Sequence, residues 1–372
     1  MGNLVLYRKY RPQTFKEIVG QEHVVKTLTN ALKHKLISHA YIFSGPRGSG
    51  KTTLARIMAK SVNCENRKDQ EFEPCNKCSS CSEIITGRSL DLIEIDAASH
   101  RGIDEIRELR EGIRFSPVKS KYKVFIIDES HQLTKEAANA LLKTLEEPPS
   151  HAIFILATTE IHKMIPTIIS RCQRFDFRKL KLEEIVSRLE FIAKKEKARI
   201  ERSALELIAL NSGGAVRDAE SLLDQTLAFS GALTDSQAIK SEDIKDLLGI
   251  ADTSVISQFT DFLIDKNSKE AVRFLNDNFE KGKDPQEFIK YLINYLRQII
   301  ISKINPEFVN PIILGLTKEE REKLQFQAER FETKELHYAL NLFMEAENKM
   351  KYSSIPQLPL ELAIIDITIK ES

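Results

Sequence analysis

The residues Gly45-Pro-Arg-Gly-Ser-Gly-Lys-Thr52 follow the spacing G-x-x-x-x-G-K-[ST] between an apolar run, Ala40-Tyr-Ile-Phe-Ser44, and a helix-forming run, Leu54 to Val62. Strand, glycine-rich loop and helix in that order commit this part of the chain to a parallel α/β core. Gly45, Gly48 and Gly50 permit positive φ, so the backbone N–H groups turn inward and the helix start presents its unpaired donors to an anion. In such a loop Lys51 reaches the β and γ phosphates and the Thr52 hydroxyl serves Mg2+. Pro46, Arg47, Ser49 and Thr53 complete a cradle expected to hold a nucleoside triphosphate.

Beyond the loop the alternation continues to about Lys179. Strands are expected at Tyr41–Ser44, Leu90–Asp96, Lys123–Asp128, Ala152–Ala157 and Gln173–Arg178. Between the third and fourth, Ala138, Leu141, Leu142 and Leu145 recur at i, i+3, i+4 and i+7, and Pro148-Pro149 stops the helix they define. After Lys179 helical periodicity runs nearly to the end, broken at Asn211-Ser-Gly-Gly214, Ser230-Gly231 and Asn305-Pro306. The expected organisation is an α/β core over 1–179 with helices on both faces of its sheet, a small all-α unit over 180–248 and a larger all-α unit over 249–372.

Composition limits the function classes. The 372 residues are 42% hydrophobic and 29% charged, which suits a folded chain of two or three domains. No apolar run approaches the ~18 residues of a membrane span, and the opening Met-Gly-Asn-Leu-Val-Leu-Tyr-Arg lacks a secretory or myristoylation pattern, so the cytoplasm is the expected compartment. With 55 Lys and Arg against 54 Asp and Glu, any contact with DNA would depend on a local patch. The absence of Trp and an aromatic content of 7% disfavour binding chiefly by base stacking. Lys119, Lys121 and Lys123 are candidates for a DNA-facing patch, although a solvated face explains them as well or better.

Lys123-Val-Phe-Ile-Ile-Asp-Glu-Ser130 is an apolar strand ending in two carboxylates. Asp128 is expected to hold Mg2+ through water, and Glu129 to orient and polarise an attacking water. The string Asp128-Glu-Ser-His131 also fits a D-E-x-H helicase box, but no second core of the kind such helicases carry follows it. Ala157-Thr-Thr159 ends the next strand, where Thr158 is the expected sensor of the γ phosphate and Thr159 the alternative. Arg171, in Ser170-Arg-Cys172, suits either a surface ion pair or a finger that reaches a neighbouring subunit's γ phosphate. Arg217 lies near a helix start, where its guanidinium is placed to read the same phosphate from the other side.

Cys64, Cys75, Cys78 and Cys81 have the spacing C-x10-C-x2-C-x2-C, and four thiolates suit a closed, structural Zn2+ site in an insert spanning 64–81. An iron–sulfur cluster is the second reading, but the ferredoxin run wants a further Cys where Ile85 stands. Cys172 has no nearby partner in sequence.

Together these motifs resemble the bacterial DNA polymerase III clamp-loader ATPases of the gamma/tau family. The likeness begins at Tyr7-Arg-Lys-Tyr-Arg-Pro-Gln-Thr-Phe15 and Ile18-Val-Gly-Gln-Glu-His23, and includes Ser38-His-Ala-Tyr41, Glu146-Glu-Pro-Pro149 and the arginine motifs. It implies an AAA+ core, a helical lid and a helical collar that assembles with delta and delta-prime type subunits and further copies of the chain. It also implies that Tyr10, Arg11, Pro12, Val19 and Gly20 surround adenine and ribose, that Arg171 acts in trans, and that Arg217 is a second sensor. ATP with Mg2+, a sliding clamp and primer-template DNA are the implied cofactors and partners. Two departures stand out: Ser130 replaces a more usual aliphatic residue, and the sequence closes at Ser372, as a short or truncated form of the longer tau would. The rival readings are another AAA+ remodeller, such as a branch-migration motor, and a structural ring subunit that does not use ATP productively; the cysteines argue against the first and intact Lys51, Thr52, Asp128 and Glu129 against the second.

Overall fold

A computed structural model describes residues 4–99, 112–113, 115–229, 238–248, 253–305 and 318–369. The chain divides into two compact units, Met1–Glu196 with Asn211–Gln225, and Lys197–Leu210 with Thr226–Ser372. Among the described residues no helix is long and apolar enough to cross a membrane.

The first unit is built on a parallel sheet of β1 (Ala40–Ser44), β2 (Leu92–Asp96), β3 (Lys123–Asp128), β4 (Ala152–Thr158) and β5 (Gln173–Asp176) in the order β2-β3-β4-β1-β5. The continuous apolar runs occupy the middle. Every residue of β1 and β4 is buried, whereas edge strand β5 buries only Phe175, as expected when helices cover both faces of a parallel sheet. Side chains alternate between two cores: Tyr41 and Phe43 join one with Phe15, Leu28 and Leu54, and Ala40 and Ile42 join the other with Phe125, Phe154 and Leu141.

The helices that matter for the site are α1 (Leu6–Lys9), α2 (Glu22–Lys33), α3 (Lys51–Asn63), α4 (Ser79–Thr86), α5 (Lys135–Glu146), α6 (Pro166–Ile169) and α7 (Leu182–Lys195). α3 starts a turn earlier than its apolar residues suggest, because Gly50 takes φ 97° and lets Lys51 open the helix. α5 begins at the Thr134 cap, whose hydroxyl accepts the Ala137 N–H, and ends before the two prolines. The turn at 211–214 lies where the glycines predict it, between α8 (Arg202–Asn211) and α9 (Val216–Phe229), with Gly213 at φ 60° and Gly214 at φ 90°. Positions Ser230, Gly231 and Pro306 fall outside the described residues.

Two strands are shorter than expected. Leu90 is exposed and β2 begins at Leu92, because Asp91 turns its carboxylate onto the segment before β3. That carboxylate accepts the N–H groups of Val118, Lys119 and Ser120 at 2.7, 3.0 and 2.8 Å. At its other end β5 stops at Asp176, two residues before Arg178.

The second unit is helical. Its core joins Phe259, Leu292, Phe343 and Ile364 from four helices, Thr253–Ile264, Pro285–Ile304, Thr333–Met350 and Leu358–Thr368. Gln327 is fully buried there, accepting from the Tyr295 hydroxyl at 2.7 Å and donating to the Ser257 carbonyl at 2.8 Å and to Asp261 at 2.7 Å, so its amide is satisfied. Burial pushes the Tyr295 phenol up to about 12.

The Asp91 contacts carry a pH prediction. Burial works to raise its pKa, but the three N–H donors outweigh it and hold the carboxyl below its ordinary value. The charged form therefore adds stability above pH ~4, which is lost as pH falls through the depressed folded value. Asp91→Asn should lose about 1–3 kcal/mol at neutral pH, with the gap from wild type closing in acid, as read by urea unfolding across pH.

Candidate nucleotide site

Because the strands are parallel, β1 and β3 end at one edge of the sheet with the end of β4 between them. The loop leaving β1 meets the carboxylates leaving β3 there: Thr52 Oγ1 donates to Asp128 Oδ2 at 2.8 Å. Lys51 is buried, and its ammonium donates to the carbonyls of Gly45 and Pro46 at 2.8 and 2.9 Å. Burial lowers the Lys51 pKa, while Glu129 and Asp128 counter part of that effect. The glycines are required by their surroundings. A Cβ on Gly45 would lie 2.4 Å from the Phe177 carbonyl oxygen, and one on Gly48, at φ 75°, 2.9 Å from the Ala215 Cβ.

A cavity of about 180 Å3 opens over this loop. Of the expected residues, Arg11, Pro12, Val19, Arg47, Gly48, Ser49, Gly50, Lys51, Thr52, Thr53, Asp128, Glu129 and Arg217 line it. Tyr10, Gly20, Gly45, Pro46, Thr158 and Arg171 do not. Gly45 and Pro46 stand behind the loop and receive Lys51. Gly20 instead packs on Leu180 and Glu184, leaving no room for a side chain.

Tyr10 is turned away from the cavity. Its hydroxyl donates to Glu196 at 2.6 Å, and burial, then that carboxylate, push the phenol up to about 12. Tyr7 takes the lining position, with the Arg217 guanidinium 4.7 Å from its ring centroid. Ile18, Leu180, Arg188 and Glu220 also line the cavity and were not singled out by sequence. Tyr7 and Ile18 lie inside the motifs quoted above; Arg188 and Glu220 carry no local signal, since only the fold brings α7 and α9 together.

Those two form a buried ion pair, Arg188 Nε to Glu220 Oε1 at 2.9 Å. A second guanidinium N–H of Arg188 reaches the Tyr10 carbonyl. Burial raises the Glu220 pKa and Arg188 opposes that rise. Arg11 is likewise buried enough to lower its pKa, and Arg56, Arg217 and Arg8 add to the effect as Glu94 opposes it. This crowding of like charge favours an anion in the cavity.

The two threonines face different partners. Thr158 lies on the same face of β4 as Phe154 and Leu156, fully buried, with its hydroxyl 3.0 Å from His131 Nδ1. Thr159, just past the strand, donates its hydroxyl to Glu129 Oε2 at 2.9 Å, with its N–H 3.3 Å from the same oxygen. Arg171 pairs within its own chain, Nη2 to Glu146 Oε1 at 2.6 Å. Lys123 is buried and donates to the Gly112 carbonyl at 2.8 Å, which removes it from any DNA-facing patch. Lys119 pairs with Glu83 at 3.0 Å, and Lys121 lies 5.3 Å from the Tyr122 ring centroid.

The four expected cysteines converge, with all Sγ atoms within 4.8 Å of one another. A tetrahedral Zn2+ with ~2.3 Å bonds spaces its sulfurs by about 3.8 Å, so the set fits such an ion. Backbone N–H groups already point at sulfur: Cys75 to Cys64 at 3.3 Å, Cys78 to Cys75 at 3.2 Å and Cys81 to Cys78 at 3.4 Å. Burial raises the Cys64 thiol, whereas at Cys75 the N–H donors of Lys77 and Cys78 outweigh burial and bring the thiol down to about 6. Cys172 stands apart, and burial pushes its thiol up to about 12.

The regions carrying these features match family models. Residues 20–181 match a model described as DNA polymerase III, delta subunit; 184–232 match the DNA polymerase III clamp loader subunit ATPase lid domain; and 239–371 match domain III of DNA polymerase III subunits gamma and tau. DNA polymerase III subunit gamma of Buchnera aphidicola from Acyrthosiphon pisum is 34% identical, over 99% of this chain and 99% of its own. The chain belongs to the DNA polymerase III gamma/tau family. The tau subunit of Bacillus subtilis is 44% identical over 99% of this chain, and that of Escherichia coli 36% over 97%. The chain spans 63% and 57% of those two proteins. Among solved structures, RuvB of Thermotoga maritima is 19% identical with a TM-score of 0.49 over 68% of this chain and 79% of its own. The parallel core, ATPase lid and helical remainder make this an AAA+ architecture.

The buried pair yields a stability prediction. Glu220→Ala strands the Arg188 charge and should cost about 3–5 kcal/mol, whereas Arg188→Met with Glu220→Leu should recover most of that loss in urea unfolding.

Proposed function

We propose that this chain is the ATP-hydrolysing motor subunit of a bacterial DNA polymerase III clamp loader, working in the cytoplasm to open a sliding clamp and load it on primer-template DNA. The observation that carries the reading is the Thr52–Asp128 hydrogen bond, which joins an intact phosphate loop to an intact acidic pair beside a cation-rich cavity. Membership of the gamma/tau family supports it. The domains are assigned as a core over 1–179, a lid over 180–248 and a collar over 249–372, the last assembling with delta and delta-prime type subunits and with further copies of the chain.

In this reading the loop from Gly45 to Thr53 holds the phosphates, Lys51 neutralises their charge, and Arg11, Pro12, Ile18 and Val19 with Tyr7 surround the base and ribose, a wall that Tyr10 and Gly20 do not reach. Thr52 and Asp128 would hold Mg2+, which supplies charge neutralisation at the phosphates when bound. Glu129 orients the attacking water. Thr159 takes the sensor role first expected of Thr158, because its hydroxyl and not that of Thr158 meets Glu129. Arg217 reports lid position from its seat on Tyr7. Arg171 acts on a neighbouring subunit's nucleotide after leaving Glu146. The four cysteines hold a structural Zn2+ that orders residues 64–81.

ATP would act by binding the clamp-opening state of the assembly more tightly than the other, since only differential affinity shifts such an equilibrium. Lys51→Ala should abolish nucleotide binding in calorimetry. Arg171→Ala should leave binding intact and remove hydrolysis only in the assembled complex; an ATPase rate equal to wild type there would rule out the finger. The ATPase of the chain with its delta-type partners should rise when clamp and primed DNA are added together, and a rate indifferent to both would sink the clamp-loading reading. Native mass spectrometry should find one zinc per chain, lost in Cys75→Ala.

A further inference from the structure

The cysteine insert touches the base-side wall of the cavity through residues that are not metal ligands. The wall is residues 11–19, of which Arg11, Pro12, Glu17, Ile18 and Val19 line the cavity. Phe15–Glu17 is a short 310 helix whose Thr14 cap offers no side-chain bond to the first N–H groups. Glu73, between Cys64 and Cys75, supplies what Thr14 does not. Its two carboxylate oxygens accept the Phe15 N–H at 2.9 Å and the Lys16 N–H at 3.0 Å. Next to it, the Phe72 ring meets Phe15 edge-on at 6.1 Å, and the Phe72 carbonyl accepts the Ser61 hydroxyl of α3.

A second tie runs through α3 itself. Lys60 is 2% exposed and donates to three acceptors, the Gln13 carbonyl at 2.8 Å, Gln13 Oε1 at 2.7 Å and Asn76 Oδ1 at 2.7 Å. Asn76 lies between Cys75 and Cys78 with φ 55°, a conformation that the turn around the sulfurs imposes. One buried ammonium thus joins the helix that starts at the phosphate loop, the base-side wall and the cysteine turn.

We infer that the cysteine module is a buttress of the nucleotide site, with Glu73 and Lys60 as positioning residues for 11–19, so that ordering of the module by its metal sets affinity for the nucleoside part of the ligand. This rests on the nucleotide reading above. Loss of the Glu73 carboxylate releases two charge-assisted hydrogen bonds to the wall but leaves Lys51, Thr52 and Asp128 untouched, and loss of the sulfur cluster frees Asn76 and Glu73 together.

The test compares two ligands on the full chain in the presence of Mg2+: a non-hydrolysable ATP analogue and inorganic tripolyphosphate, each by titration calorimetry. Glu73→Ala should bind the analogue about tenfold more weakly while tripolyphosphate affinity stays that of wild type. Glu73→Gln, which keeps one oxygen acceptor, should fall between, and Cys75→Ala combined with Cys78→Ala should reproduce the Glu73→Ala pattern. If Glu73→Ala does not fold, Glu73→Gln is read by the same criterion. Equal weakening of both ligands, or weakening of neither, would overturn the inference and leave the nucleotide reading standing. A wild-type chain that binds neither ligand would overturn that reading and this inference with it.

Discussion

The carboxyl edge of a parallel sheet is the constraint from which the site follows. Every strand of the first unit delivers its following loop to the same side, and the order β2-β3-β4-β1-β5 puts the phosphate loop and the acidic pair on either side of one strand end. The Thr52–Asp128 hydrogen bond closes the gap between them. Burying Lys51 there has a desolvation cost, which the two loop carbonyls and the neighbouring carboxylates offset. The strong demand for small residues in the loop has the same origin, since Phe177 and Ala215 approach the backbone too closely for a Cβ.

The remaining walls come from segments far apart in sequence, and polar ties as well as apolar packing join them. Arg188 holds Glu220 and the Tyr10 carbonyl at once, so α7, α9 and the N-terminal segment share one guanidinium. Buried pairs of this kind add little net stability against a well-packed apolar alternative, but an unpaired member is costly, which favours a single arrangement. Glu220 lies one turn from Arg217, so the pair that fixes α9 also fixes where Arg217 meets Tyr7. A shift of α9 that moves Arg217 must therefore break or carry along the Arg188 contacts.

What the sequence revealed and what it hid divide along this line. The phosphate loop, the acidic pair and the four cysteines are each encoded within a short window by residue type and spacing, and the structure brings each set together. The continuous apolar runs likewise announced the central strands, and the glycines at 213 and 214 the turn between two helices. Side-chain direction was less legible. Tyr7 and Tyr10 are three apart near one short helix, and the distant Glu196 carboxylate and Phe191 ring hold Tyr10 away from the cavity. Lys123 has the composition of a surface cation, yet it begins a central strand and is buried. Arg188 and Glu220 have no signature until α7 and α9 pack.

The two threonines show how much depends on strand parity. The period of two sends Thr158 into the core with Phe154 and Leu156, where its hydroxyl meets His131, while its carbonyl accepts the Gly45 N–H at 3.1 Å. Thr159, one residue on, is free of the sheet and grips Glu129, itself held at φ 45°. The end of β4 is thus bonded to the first residue of the phosphate loop, to the residue that would position water and to the histidine beside it, whose Nδ1 is 3.4 Å from Glu129. Because these bonds converge on the last residue of a fully buried strand and the residue after it, the phosphate loop and Glu129 cannot move independently without breaking one of them. A displacement of the loop against β1 would strain the Gly45–Thr158 bond, and through the neighbouring Thr159 the bond to Glu129.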